Sequence, residues 1–255
     1  MRFASLGSGS RGNALVLEVG NTRLLLDCGF SVSESAARLG RLGLEPDHLD
    51  AILVTHEHDD HIGGVARLAR KYDIPVYLTY GTLTALDGER GAITEITIID
   101  SHAPFSVGDI EVQPYPVPHV AREPAQFVFG DGARRVGVLT DAGSSTPHIE
   151  AMLSGLDALV LECNHDLDLL MSGDYPPSLK QRIASRFGHL DNQTAAQLLA
   201  SLDCSRLQHL IAAHLSQQNN TPDLARAAVA QALNCAPEWI GIASQDEGFG
   251  WREIR

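Results

Sequence analysis

The run Thr55-His56-Glu57-His58-Asp59-Asp60-His61 has the form H-x-H-x-D-H, with three imidazoles and a carboxylate packed close together. Imidazole nitrogens and carboxylate oxygens are typical donors for borderline divalent metals. The cluster directly follows the apolar run Ala51-Ile52-Leu53-Val54, so it falls where a buried strand ends and a helix begins. A tight loop there turns all four side chains toward one point. A centre of two ions needs donors from later parts of the chain as well, because six residues cannot encircle two ions. His119 follows the strand-like run Ile110-Glu111-Val112-Gln113-Pro114-Tyr115, Asp141 ends Arg135-Val136-Gly137-Val138-Leu139-Thr140, and His214 ends Leu210-Ile211-Ala212-Ala213. Each donor caps a hydrophobic β-type run, the place where loops carry chemistry on a rigid scaffold.

The elements that must position these groups alternate along the chain. Strands are expected near 2–6, 13–19, 22–27, 51–54, 97–100, 105–117, 124–129, 135–140, 157–162, 208–213 and 249–254. Helices are expected near 33–42, 62–72, 147–153, 177–186, 192–202 and 221–233. No linker or low-complexity tract divides them, and 255 residues bury one substantial core.

With these residues in place the chain resembles the metallo-β-lactamase superfamily, whose five motifs match Asp27, the His56–His61 cluster, His119, Asp141 and His214 in order. The resemblance implies an α/β fold, the four-layer αββα sandwich, formed by residues 1–255 as a single hydrolase domain. It implies two divalent ions per chain, with His56, His58 and His119 on one and Asp60, His61 and His214 on the other. Asp141 would bridge them, and Asp27 would orient the ligands from behind. A hydroxide shared by the two ions would be the nucleophile, with its pKa lowered toward neutrality. Mixed His and carboxylate ligation suits Zn²⁺, Mn²⁺ or Fe²⁺.

Other segments bear on the branch of the superfamily. Gly7-Ser8-Gly9-Ser10-Arg11-Gly12-Asn13 offers close backbone approach and the polar side chains of Ser8, Ser10 and Asn13, which suits a phosphate cradle and equally a hairpin turn. Leu161-Glu162-Cys163-Asn164-His165-Asp166 and Gly188-His189-Leu190-Asp191-Asn192 are similar to the acid and His motifs of the ribonuclease Z group. That similarity implies that Glu162 orients His189, which would protonate the leaving oxygen; Asp27, Asp60, Glu162 and His189 thus form the expected catalytic group. A helix N-terminus at 190–193 would also favour an anion. Arg182 and Arg186, four apart on one expected helix face, suit a phosphate backbone, as they also suit a plain solvated surface. Together with His214-Leu215-Ser216 and Asn219-Asn220, these segments resemble the YycJ/WalJ-like branch, which implies a metal-dependent 5′→3′ exonuclease on DNA. The departures are the Cys163–Asp166 stretch and the acidic Asp191. His119 and Asp141 are 22 positions apart, too few for a tRNA-gripping arm, and the chain is too short for an added β-CASP domain.

Composition limits the alternatives. A net charge of −13 argues against polyanion binding by bulk electrostatics, so a DNA substrate requires local compensation. The same charge favours the alternative, a hydrolase of a small phosphodiester or a thioester. A non-enzymatic metal protein is disfavoured because structural Zn sites are closed and mostly rich in Cys. No run approaches 18 apolar residues, no signal segment is evident, and Cys28, Cys163, Cys204 and Cys235 are widely spaced. A cytoplasmic protein with reduced thiols, no membrane partner and no organic cofactor is expected; oligomeric state is not legible.

Overall fold

The computed structural model describes residues 1–86 and 93–255 of the chain. One sheet contains β1 (Arg2–Gly7), β2 (Ala14–Val19), β3 (Thr22–Leu26), β4 (Ala51–Leu53), β5 (Val76–Thr79), β6 (Ile96–Ile99) and β14 (Phe249–Glu253), in the order β14-β1-β2-β3-β4-β5-β6. The other contains β7 (Phe105–Val107), β8 (Ile110–Pro116), β9 (Ala125–Gly130), β10 (Arg135–Leu139), β11 (Ala158–Glu162), β12 (His209–Ala213) and β13 (Gly241–Ile242), in the order β13-β12-β11-β10-β9-β8-β7. The helices are α1 (Val32–Gly40), α2 (Asp59–Ile62), α3 (Val65–Tyr72), α4 (Tyr80–Ala85), α5 (Pro147–Leu153), α6 (Leu167–Ser172), α7 (Pro177–Ile183), α8 (Asn192–Ser201) and α9 (Pro222–Leu233).

Most central strands are apolar on both faces, and side chains alternate sides along a strand, so each sheet must be covered twice. Leu24 and Leu26 of β3 face Phe127, Phe129, Val136 and Val138 in a core between the sheets. Leu25, between them, faces a second core with Leu39 of α1 and Val65, Leu68 and Ala69 of α3. On β11, Ala158 and Val160 join the central core, whereas Leu159 and Leu161 pack with Ile149 of α5, Leu198 of α8 and Val229 of α9. Three cores separating four layers are the expected αββα sandwich.

The strands β3 to β6 run parallel, as do β10 to β13. Their carboxyl ends therefore gather at common edges, where open α/β sheets carry their sites.

Several boundaries differ from expectation. The run 105–117 is a hairpin: Gly108, at φ +52°, sits in the turn that sets Val107 opposite Ile110. The helix expected at 62–72 is split, and its first part, α2, already includes Asp60 and His61. The strands β5 and β13 and the helices α4 and α6 were not foreseen. The helix expected at 177–186 ends at Ile183, and no residue of α7 is buried.

Candidate metal centre

The site is assembled where strands stop. Asp27 follows β3, Thr55–His61 follow β4, His119 follows β8, Asp141 follows β10, Glu162 closes β11 and His214 follows β12. Asp27, Asp141 and His214 each turn at positive φ, at +60°, +53° and +54°. Such a conformation costs about 1–3 kcal/mol in a residue with a side chain and persists only where the surroundings enforce it. The chain also passes closely behind the site. A Cβ at Gly29 would overlap the Asp60 carbonyl, so this position needs glycine for the approach.

Two donor clusters result. His58 Nδ1 lies 3.0 Å from His56 Nε2 and 3.3 Å from His119 Nε2. A tetrahedral ion about 2.0–2.1 Å from each nitrogen would set its ligand atoms about 3.3–3.4 Å apart, close to these two spacings. In the second cluster Asp60 Oδ2 is 3.4 Å from both His61 Nε2 and His214 Nε2. Asp141 lies between the clusters. Its Oδ2 is 2.9 Å from His61 Nε2 and 3.6 Å from His214 Nε2, and its Oδ1 is 3.9 Å from His119 Nε2. Oδ2 is buried yet has no hydrogen-bond partner despite these close nitrogens. Electron-pair donors that converge around a buried oxygen left without a partner are suited to a cation between them.

A further layer fixes the rings through their other nitrogens. His61 Nδ1 is 2.8 Å from Asp27 Oδ2, and His119 Nδ1 is 3.0 Å from the Gly188 carbonyl. Thr55 was not foreseen: its hydroxyl lies 2.9 Å from Asp27 Oδ2 and 3.0 Å from His56 Nδ1, while its backbone N–H donates to Asp27 Oδ1. Its place directly before His56 was the available signal. Asn164 was also not singled out as a site residue; its amide nitrogen is 3.2 Å from His214 Nδ1. Glu162 lies 2.7 Å from His189 Nδ1 through Oε1, and its Oε2 accepts from the backbone N–H groups of Ala142 and Leu190.

Charge at the site follows these pairings. Burial opposes ionisation of Asp141, but His214 and His61 hold it well below the usual carboxylate range. Asp60 is likewise lowered against burial, by the same two rings. Burial also opposes charge on Glu162, and His189 brings it to about 2. The rings respond in the other direction. Against burial, Asp141 raises His61, Glu162 raises His189, and Asp141 with Asp60 brings His214 to about 10. Burial pushes His56 and His119 down, toward the neutral form that binds metals. The buried carboxylates thus demand positive charge, which cations among the same donors would also supply.

Beside these clusters opens a cavity of about 280 Å³, lined in part by Ser10, Asp60, Asp141, Arg182, Phe187 and His189. Ser8 and Asn13, expected to face substrate, are buried and turned inward instead. The Ser8 hydroxyl donates to Asn13 Oδ1 and accepts from the His214 N–H, while Asn13 Nδ2 donates to Asp60 Oδ2 at 3.2 Å. Only Ser10 of the three lines the cavity. Arg182 lines it too, but α7 ends before Arg186, whose guanidinium instead lies 4.8 Å over the Phe187 ring. The expected anion position at the start of α8 is taken by Asp191, whose own carboxylate accepts from the N–H groups of Gln193 and Thr194. The four cysteines are unpaired, and burial pushes the Cys28 thiol up to about 11, in keeping with a small buried residue.

Comparison with known proteins agrees with this geometry. The family described as Beta-lactamase superfamily domain matches residues 22–214. Exodeoxyribonuclease YycJ of Bacillus anthracis is 38% identical over 256 residues, covering 98% of this chain and 91% of that protein. Exodeoxyribonuclease WalJ of Streptococcus pneumoniae is 34% identical over 245 residues, covering 94% of this chain and 91% of the relative. Among solved structures, the metallo-β-lactamase fold protein YhfI from Bacillus subtilis superposes with a TM-score of 0.76 at 19% identity, over 99% of each chain.

Proposed function

The chain belongs to the β-lactamase superfamily as a hydrolase of the metallo-β-lactamase fold, and from that premise we propose that it is a metal-dependent phosphodiesterase acting as a 5′→3′ DNA exonuclease. The observation that carries this reading is His189, held 2.7 Å from buried Glu162 and facing the cavity beside both donor clusters. The two relatives named exodeoxyribonucleases, similar over nearly the whole chain, support the choice of DNA. A DNA substrate goes with a cytoplasmic location, and the unpaired cysteines agree with one.

In this reading His56, His58 and His119 would hold one divalent ion, Asp60, His61 and His214 would hold a second, and Asp141 would contribute to both. Such ions, Zn²⁺, Mn²⁺ or Fe²⁺, supply Lewis acidity toward phosphate oxygens and a hydroxide nucleophile at neutral pH. Asp27 and Thr55 keep the rings of His61 and His56 oriented, and Asn13 steadies Asp60. The Glu162 carboxylate accepts a hydrogen bond from His189 Nδ1–H and, against burial, raises the pKa of the ring, so that the imidazolium carries a second proton, on Nε2, to give to the leaving oxygen. Arg182 and Ser10 line the cavity, and in this reading they would meet the phosphate.

End-labelled single- and double-stranded DNA and RNA, with 5′-phosphate or 5′-hydroxyl ends, test the reading with Mn²⁺, with Zn²⁺ and with chelator. Metal-dependent stepwise shortening from the 5′ end of DNA, absent in Asp141→Ala, is the expected result. The net charge of −13 favours one other reading, a small phosphodiester or thioester substrate. Hydrolysis of such a compound with every strand left intact would replace the nuclease assignment.

A further inference from the structure

Phe187 is an apolar ring that joins none of the three hydrophobic cores. It is 43% exposed, and it lines the cavity two residues before His189. Its backbone, by contrast, is firmly held. The Phe187 carbonyl accepts from the Val120 N–H at 3.2 Å, next to His119, and the Ser144 hydroxyl donates to the Arg186 carbonyl at 3.1 Å. The chain at 186–188 also presses on Gly143, two residues past Asp141, where a Cβ would strike its backbone. The ring therefore stands on a rigid support beside the loops that carry His119 and Asp141, while its side chain remains partly open to solvent. Val120, next to it, is 50% exposed.

Its neighbours are cationic, against the acidic balance of the chain. The Arg186 guanidinium lies 4.8 Å over the ring, and Arg182 lines the same cavity, in a chain of net charge −13. An exposed aromatic ring backed by arginines is the combination that engages single-stranded nucleic acid, with the ring stacking on a base and the cations meeting its phosphates. The cavity, about 280 Å³, falls just below the usual range for ligand pockets, a size that suits about one nucleotide.

We propose that Phe187 is the platform on which an unpaired base at the end of a DNA strand stacks, with Arg186 and Arg182 holding the adjoining phosphates, so that the site takes single-stranded ends. The inference rests on the nuclease reading above and adds to it the strand form and the residue that binds the base. A paired base has its faces covered by its neighbours in the stack, so a duplex end must fray before it can occupy this platform.

The test pairs a change in the protein with a change in the DNA. Single-stranded oligonucleotides with a normal or an abasic residue at the digested end are compared for the parent protein, Phe187→Ala and Phe187→Trp, with Mn²⁺ present. Stacking predicts that the parent protein shows a KM about tenfold or more higher for the abasic end. Phe187→Ala should raise KM for the normal end to the abasic value and erase the difference, with kcat within about twofold, and Phe187→Trp should restore the difference. An unchanged melting temperature for Phe187→Ala, expected for an exposed ring, separates lost stacking from lost folding. Persistence of the base-dependent difference in Phe187→Ala, or no such difference in the parent protein, overturns the platform while leaving a nuclease in place. A parent protein that shortens no strand yet hydrolyses a small phosphodiester overturns both.

Discussion

In the proposed mechanism Asp141 and His189 would divide the work of the site between holding charge and moving a proton. One oxygen of Asp141 faces His61 and His214 and the other faces His119 and His189, so a single carboxylate touches both clusters. His189 differs from the other rings in having its Nδ1 committed to Glu162 while remaining partly open to the cavity. His189→Ala should therefore lower turnover by about 10²–10⁴-fold and leave two ions bound per chain, read by metal analysis beside kcat. A fall in metal content would make it a ligand in place of a proton donor. The donors that the fold brings together were legible in H-x-H-x-D-H and in the lone His and Asp residues after apolar runs. The inward turn of Asn13 was not, because it depends on Asp60, 47 positions away, approaching the loop.

At the scale of elements, the site depends on strand ends and on one crossing of backbone. The segment 186–188 lies against Gly143, and His189 follows it directly. Gly143→Ala inserts a methyl group into that contact, with an expected loss of about 1–3 kcal/mol of stability and at least tenfold in kcat as His189 is displaced. Normal turnover with normal denaturant unfolding would mean the crossing has slack. On the far side of the first sheet, Glu18 of β2 accepts from Arg2 of β1 and Arg23 of β3, each at 2.7 Å. Burial opposes charge on Glu18, but the two guanidiniums bring its pKa below the ordinary 4.5. A depressed carboxylate stabilises the fold above its unfolded pKa and loses that effect as pH falls through the folded one. Glu18→Gln should accordingly cost about 1 kcal/mol at pH 7, and progressively less below about pH 4.5. An equal deficit at pH 3 and pH 7, in urea unfolding, would show that the effect is not electrostatic. The long strands and amphipathic helices were readable from periodicity, whereas α4, α6 and β13 were not. Short elements with little buried surface leave no repeating pattern to read.

For the whole molecule, three apolar cores hold four layers, and the candidate centre lies where both sheets end. Buried carboxylates from both halves of the chain meet there, so ions bound among them would tie the halves together. Ions that bind only the folded form stabilise it by about 2.7 kcal/mol at a hundredfold excess over Kd, or roughly 5–10 °C for a chain of this size. Chelation should lower Tm by that amount, and added Mn²⁺ or Zn²⁺ should restore it. A Tm indifferent to chelator, with metal shown to be removed, would refute a metal-stabilised junction.

The amino-acid sequence alone determined the donor types, their order along the chain and the alternation of strands and helices, because these depend on local spacing and on which faces must be apolar. It also carried the Glu162 and His189 motifs, since each occupies a recognisable strand or helix boundary. Only the tertiary structure decided that Asp141 divides its oxygens between two clusters, that Thr55 and Asn13 support ligands, and that Asp191 caps its own helix. It alone placed Phe187 at the mouth of the cavity and removed Arg186 from the helix that would have paired it with Arg182. The reason is physical. Residue type and spacing fix what a side chain can do within its own element, whereas its partners are set by segments far apart in sequence whose approach depends on how the layers pack.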